Sequence, residues 1–276
     1  VELPKGVDMD SKHQVTVIVT NPKKVPQKNI NVIVKNDLGD KATGKTDKNG
    51  EVTVPEVEKT EHHSAYVVGY TDGTFGPERN MTRSEAAAIF ARLLADKNGD
   101  NISPVAKTKF GDVPAYAWYS GYVKYLNNNG VTYGHSKTIF APDEQITRAE
   151  FTTMAVRFFD VYGDGDAEIM EQFKSFDDVS DGYWAAEYIK AAAKHGWITG
   201  YGDGSFRADR QITRAEVVTI VNRLLGRAAD LEYVSDNLRK LNTFPDVSRR
   251  YWAYSDILEA ANAHNAILGT EESWYK

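Results

Sequence analysis

Residues Gly200–Glu216 read GYGDGSFRADRQITRAE, a glycine turn running straight into a helix start. The pattern occurs twice upstream, as GYTDGTFGPERNMTRSE from Gly69 to Glu85 and as GHSKTIFAPDEQITRAE from Gly134 to Glu150. In each copy fourteen positions separate the leading glycine from the arginine. Spacing held over three copies marks a repeat architecture, in which no unit buries its apolar face alone and stacked neighbours bury it together.

A second half-unit alternates with the first. It begins FGDV at Phe110, FDDV at Phe176 and FPDV at Phe244, and eight residues later each copy has a tryptophan, Trp118, Trp184 or Trp252. Amphipathic helices follow, YSGYVKYLNNNG, AAEYIKAAAKHG and AYSDILEAANAHN, the last drawn out by one residue before Gly269. The helices after the turns have apolar stripes: Ile89, Phe90, Leu93 and Leu94; Phe151, Met154, Ala155, Phe158 and Phe159; Val217, Ile220, Val221, Leu224 and Leu225. The expectation is a mainly α, three-unit, pseudo-threefold helical array. It starts with a turn-plus-helix half (66–109), continues with complete units (110–172 and 173–240) and ends with a Phe-Asp-Val-Trp half (241–276). The two orphan halves are expected to pack together, with Trp252 near the Gly69–Arg83 turn.

The TRAE segments fit a capping box, in which the threonine hydroxyl accepts from the third helical amide and the glutamate reaches back to the cap amide. Thr82 with Glu85, Thr147 with Glu150 and Thr213 with Glu216 are thereby explained, each threonine cap contributing about 1 kcal/mol. Arg83, Arg148 and Arg214 are not, because the first helical position is mildly unfavourable for a cation. Two partners remain open: an internal one, Asp112, Asp178 or Asp246, and a ligand carboxylate held by the guanidinium and the free helix amides. The tryptophans are equally open, as core residues or as flat platforms for a sugar ring. Asp72-Gly73 and Asp203-Gly204 are turn residues whose glycine also permits close approach to the backbone.

Before the repeats, QVTVIVT and NINVIVK alternate with period two on either side of Asn21-Pro22. Leu38-Gly39-Asp40 follows, then a short strand at Ala42–Lys45, an Asn49-Gly50 hairpin turn and a last strand at Glu51–Val54. Residues 1–60 thus read as a small all-β spacer and 61–65 as a solvated linker. The pair His62-His63 is read as part of that linker in preference to a metal site.

Composition narrows the function. With 41% apolar and 26% charged residues the chain can bury a real core, and its net charge of −6 argues against nucleic acid gripped by a broad basic field. No run of about eighteen apolar residues is present, so no membrane insertion is expected. The start, VELPKGVDMD, lacks a charged-then-apolar leader and reads as a processed terminus or a fragment. Without cysteine there are no disulfides or thiolate sites, and the six histidines form no HExxH pair, which excludes a zinc enzyme of that type. Asp96, Asn98 and Asp100 have the D-x-N-x-D spacing of a calcium loop, and Asp160, Asp164 and Asp166 form a second acidic group. Neither completes the twelve-residue pattern with its terminal glutamate, so no cofactor is expected and calcium stands as the alternative. A glycan hydrolase with paired carboxylates is the third reading. It is disfavoured because every acid placed by a motif has a capping or turn role, and the expectation is that the chain is not an enzyme.

Taken together, FxDV, the following Trp, GYxDGxF and ITRAE resemble the S-layer homology (SLH) domain of bacterial surface proteins, over about 210 of the 276 residues. GKTDKNGEVTVP resembles bacterial Ig-like and prealbumin-like surface modules. The SLH resemblance implies an extracellular protein of the cell wall or S-layer. It implies non-covalent attachment to a secondary cell-wall polysaccharide, often ending in pyruvylated N-acetylmannosamine, and other S-layer subunits are further candidate partners. Carried onto this chain, the glycan-binding positions are Arg83, Arg148, Arg214, Trp118, Trp184, Trp252, Asp112, Asp178, Asp246, Gly73 and Gly204, in grooves between neighbouring repeats. The middle turn departs from the pattern: His135, Lys137 and Thr138 replace Tyr, Asp and Gly, so its groove is expected to be weak. At the C-terminus GTEESWYK keeps little of GYGDGSF.

Overall fold

The computed structural model describes residues 15–35, 41–54, 59–163, 175–268 and 273–275. Its chain divides into a smaller unit, Val1–His62 with Asn265–Tyr275, and a larger one, His63–His264. Helix outweighs strand among the described residues, and no helix there is long and apolar enough to cross a membrane.

In the smaller unit β1 (Val15–Ile18) pairs antiparallel with β4 (Glu51–Val54), and β2 (Asn31–Lys35) with β3 (Lys41–Lys45). These strands sit on the runs that alternate. Asn21 stops the first run because its side-chain oxygen accepts from the Lys23 and Val25 amides. The expected Asn49-Gly50 hairpin is corrected: β3 and β4 are not ladder neighbours. Only Gly50 has positive φ (74°), and the Asp47 carboxylate organises the turn by accepting from the Asn49 and Glu51 amides. Leu38-Gly39-Asp40 lies outside the described residues.

A three-stranded sheet, ordered β5 (Lys59–His63), β6 (His264–Leu268), β7 (Ser273–Tyr275), overturns a further expectation. The supposed linker is strand through His63. The inward residue of β5 is one that hydropathy counts as polar: Glu61 and His62 are exposed, whereas His63 is only 2% exposed. Gly269 lies outside the described residues.

The larger unit holds α1 (Arg83–Asn98), α2 (Ser120–Asn128), α3 (Arg148–Tyr162), α4 (Ala186–Lys194), α5 (Arg214–Leu225), α6 (Leu231–Asn237) and α7 (Tyr254–Ala261). All three capping boxes form, so α1, α3 and α5 begin where the TRAE segments dictate. These helices pack α1 on α3 and α3 on α5. They are buried well beyond the apolar stripes, because alanine and threonine occupy faces that read as polar: Ala86–Ala88 and Ala91 in α1, Thr152 and Thr153 in α3, Thr219 in α5. Phe90 of α1 meets Phe151 and Phe158 of α3 at ring-centroid distances of 5.3 and 4.8 Å.

Each of these helices also packs against the Phe-Asp-Val-Trp helix that follows it: α1 with α2, α3 with α4, α5 with α7. These pairs cut across the units read at 110–172 and 173–240, each of which runs from an FxDV segment through the following turn and helix. In that phase the array has three complete helix pairs and leaves no orphan. The turns obey the other phase. The aspartate of each FxDV holds two amides of the next turn: Asp112 those of Phe140 and Ala141, Asp178 those of Phe206 and Arg207. Asp246, last in sequence, reaches back to the first turn and holds the amides of Phe75 and Gly76 at 2.9 and 2.7 Å.

The helix starts are linked in the same sense. Arg83 donates its backbone N–H to Glu144 O, Arg148 to Arg210 O, and Arg214 to Arg79 O, at 2.9, 2.8 and 2.9 Å. Helix-terminal amides that have no partner within their own helix are thus satisfied by the neighbouring copy, the third returning to the first. The Phe of each FxDV lies on a leading glycine. A Cβ built on Gly69, Gly134 or Gly200 would come within 2.6, 2.3 or 2.4 Å of Phe244, Phe110 or Phe176.

Asp246→Ala removes two charge-assisted hydrogen bonds to the first turn. Allowing for the exposed carboxylate, the expected cost is about 2–3 kcal/mol. For a unit of this size that corresponds to a melting temperature lower by roughly 5–10 °C by calorimetry.

Candidate functional site

The three aspartates are structural. Their oxygens are spent on turn amides, and in two copies those amides belong to strained residues, Ala141 (φ 61°) and Arg207 (φ 58°), in the left-handed region that non-glycine residues avoid. Asp112, Asp178 and Asp246 thus clamp the turns, and among the described residues none of them forms an ion pair with the three arginines.

Arg83, Arg148 and Arg214 are 4%, 6% and 6% exposed, so each carries its charge inside the protein. All three donate Nε to a turn carbonyl of the neighbouring copy: Phe140 O, Phe206 O and Phe75 O. Beyond that they diverge. Arg83 meets Glu150 at 3.0 Å and Arg148 meets Glu216 at 3.1 Å, each the cap glutamate of the next helix. Burial pulls the Arg148 guanidinium below its ordinary pKa, and Glu216 partly offsets this. Arg214 donates from Nη2 to the Val68 carbonyl at 2.9 Å, and among the described residues no carboxylate lies within salt-bridge reach of it. It lies over the rings of Tyr70 and Phe75 at 4.8 and 4.7 Å. Exposed Arg79 stacks on Tyr70 from 4.5 Å and, among the described residues, also lacks an ion pair.

The corresponding place beside Arg148 holds Tyr201 and Arg210, but Glu216 Oε1 accepts there from Arg148, Arg210 and the Tyr201 hydroxyl. Beside Arg83 a cavity of about 310 Å³ is lined by Arg83, Gly134, His135, Glu150, Arg157 and Trp184. It joins a turn, a helix start and a tryptophan from different copies. Its charge is poor for an anion: Glu150 faces both Arg83 and His135, and Glu144 takes the sequence position that Arg79 and Arg210 hold in the other copies. A wider, open depression of about 410 Å³ near Leu238 and Arg249 gathers none of the expected residues.

Trp118, Trp184 and Trp252 are 54%, 57% and 58% exposed, so the core role is excluded for all three. Gly73 (φ 82°) and Gly204 (φ 84°) hold the left-handed conformation, and a Cβ on Gly73 would meet nothing within 4 Å. In these turns Asp72 and Asp203 accept from the hydroxyl and amide of Thr74 and Ser205, which holds both carboxyls below their usual range. The middle turn replaces this with Ser136, whose hydroxyl accepts from Thr138 and Ile139.

Asp96 and Asn98 end α1, Gly99 is its left-handed cap, and Asp100 accepts from the Tyr125 hydroxyl at 2.6 Å. The three residues thus finish a helix. Asp160 lies on α3, and Asp164 and Asp166 are outside the described residues.

Sequence reasoning missed Tyr70, Tyr201, Arg79 and Arg210. The signal was available: each tyrosine follows a leading glycine, each of these arginines stands four residues before a TRAE arginine, and the middle copy lacks both.

The sequence profile of the S-layer homology domain matches residues 56–87, 109–152 and 175–218. Cell surface glycoprotein 1 of Acetivibrio thermocellus is 37% identical over 217 residues, covering 76% of this chain and 9% of that protein. The cellulosome-anchoring protein of the same organism is 36% identical over 226 residues, 80% of this chain and 47% of its own length. Surface-layer 125 kDa protein of Lysinibacillus sphaericus is 31% identical over 163 residues, 58% of this chain and 13% of that protein. The chain thus spans less than half the length of each of these relatives.

Proposed function

We propose, from the premise that this chain belongs to the S-layer homology domain proteins, that it anchors a bacterial surface protein non-covalently to the cell wall by gripping an anionic, pyruvylated secondary wall polysaccharide. The chain is a cell-surface protein. The observation that carries the ligand reading is Arg214: a buried cation without a carboxylate partner among the described residues, set beside exposed Arg79 and Tyr70. A buried charge calls for a counter-charge, and a pyruvyl ketal presents a carboxylate on a sugar ring that Trp118 can stack against. Trp118 heads the helix paired with α1, as Trp184 heads the helix paired with α3, and this correspondence supports a place for it in the Arg214 groove.

In this reading the three copies form a pseudo-threefold array of unequal grooves: Arg214 strong, Arg148 intermediate, Arg83 weakest. The residues before it form an Ig-like spacer. No cofactor is required in the grooves, and the role is binding without catalysis. Titration with a pyruvylated N-acetylmannosamine glycoside should yield saturable heat, and the glycoside lacking the ketal should yield none. Equal binding of both would refute the carboxylate grip.

A further inference from the structure

The larger unit begins at His63 and ends at His264, and these two residues meet in its interior together with Glu259. His63 ends β5, His264 begins β6 and Glu259 lies on α7; they are 2%, 7% and 1% exposed. His63 Nδ1 is 3.2 Å from His264 Nε2 and 3.4 Å from Glu259 Oε1, and His264 Nε2 is 3.5 Å from Glu259 Oε2. Neither oxygen of this buried carboxylate has a hydrogen-bond partner among the described residues. Buried carboxylates are ordinarily hydrogen-bonded or charge-compensated, so Glu259 requires an explanation.

We propose that His63, Glu259 and His264 form a structural zinc site that clasps the two ends of the larger unit. Three observations converge on it. Bonds of about 2.0–2.1 Å in tetrahedral geometry separate ligand atoms by about 3.3–3.4 Å, and the three distances here are 3.2, 3.4 and 3.5 Å. The donor set, two imidazoles and a carboxylate without sulfur, suits a first-row divalent cation of the zinc class. The third is the tautomer of His264. Its Nδ1 lies 3.0 Å from the carbonyl of Asn262, which can only accept, so the proton sits on Nδ1 and the Nε2 lone pair faces the cluster. This is the outer hydrogen bond that orients metal-binding histidines. His62, one residue away, is exposed and points its Nδ1 to Asn265 Oδ1 at 2.9 Å, so it takes no part.

A cation held by residues 63 and 264 closes nearly the whole unit as one loop. Because it binds the folded state alone, it stabilises that state in proportion to ligand excess. The test uses the untagged full chain, stripped with chelator and re-equilibrated with Zn²⁺ or Co²⁺. One equivalent of Zn²⁺ should remain after gel filtration, and the Co²⁺ form should show the intense visible bands of a tetrahedral site. Zn²⁺ at 1,000-fold over its Kd should raise the melting temperature by roughly 8 °C or more. Glu259→Gln and His264→Gln, which keep side-chain volume near the original, should abolish uptake, and His62→Ala should retain it. If either glutamine variant fails to fold, the wild-type stoichiometry and Co²⁺ spectrum still decide. A wild-type chain that binds neither ion, or uptake unchanged in both glutamine variants, would overturn the assignment in favour of two imidazoles sharing a proton.

Discussion

Arg214→Ala is expected to weaken binding of a soluble pyruvylated wall fragment by about 100-fold, with Arg148→Ala costing about tenfold or less. The magnitude follows from the bond type. A guanidinium–carboxylate contact in a partly buried groove is a charge-assisted pair of roughly 1.5–3 kcal/mol, or about 10- to 150-fold. The ranking follows from the counter-charges: Glu216 already occupies the Arg148 fork at 3.1 Å, whereas Arg214 has no carboxylate within salt-bridge reach among the described residues. Because Arg214 also ties Phe75 O and Val68 O to its helix start, its loss will lower stability as well. Arg79→Ala separates the two effects. Arg79 is exposed and stacks on Tyr70, so its replacement should cost about tenfold in affinity and leave the melting temperature within about 1 °C. A short soluble fragment is the right ligand, since a polymer engaging several grooves would mask single-site losses by avidity. Equal losses for Arg214→Ala and Arg148→Ala would refute the ranking.

Gly200→Ala is expected to destabilise the larger unit by about 3–4 kcal/mol, more than any single cap or clamp. Two penalties combine. The residue has φ 69°, which an L side chain occupies at a cost of roughly 1–2 kcal/mol. A Cβ would also sit 2.4 Å from Cε1 of Phe176, forcing the ring off its seat at a further 1–3 kcal/mol. Gly69→Ala incurs only the second penalty, because its φ lies outside the left-handed region while Phe244 is 2.6 Å from its Cβ. Gly69→Ala should therefore be milder, by about 1–2 kcal/mol, and trimming the ring by Phe244→Leu in the same chain should recover part of the loss. Denaturant unfolding of these variants and of Phe244→Leu alone checks this; a non-additive gain in the double variant is the signature of the ring contact.

These contrasts indicate what could be read from the residues and what could not. The helix starts were legible because a capping box is local: Thr, two intervening residues and Glu determine it without reference to the rest of the chain. The strands β1–β4 were legible for the same reason, since period-two alternation of β-branched residues declares itself over five or six positions. The pairing of the helices was not. Whether α2 belongs with α1 or with α3 is a question of tertiary packing, and both halves carry apolar stripes that fit either answer. The β5 strand was missed because its buried residue is a histidine, which no hydropathy pattern counts as core. The clamping role of the aspartates was not legible, because acceptance from two backbone amides has no sequence signature distinct from acceptance from a ligand hydroxyl. The arginines stood out by their fixed spacing, but the difference between them depends on which glutamate reaches which guanidinium across copies, a contact between residues more than sixty positions apart.

The account rests on recognition of an anionic wall polymer, and co-sedimentation with purified sacculi tests that most directly. The chain is predicted to pellet with native sacculi. It should remain in the supernatant once the secondary polysaccharide has been stripped, or once its pyruvyl groups alone have been removed from otherwise intact walls. Undiminished pelleting with stripped sacculi would contradict the account, because the chain would then be holding peptidoglycan itself and Arg214 would have no carboxylate to meet.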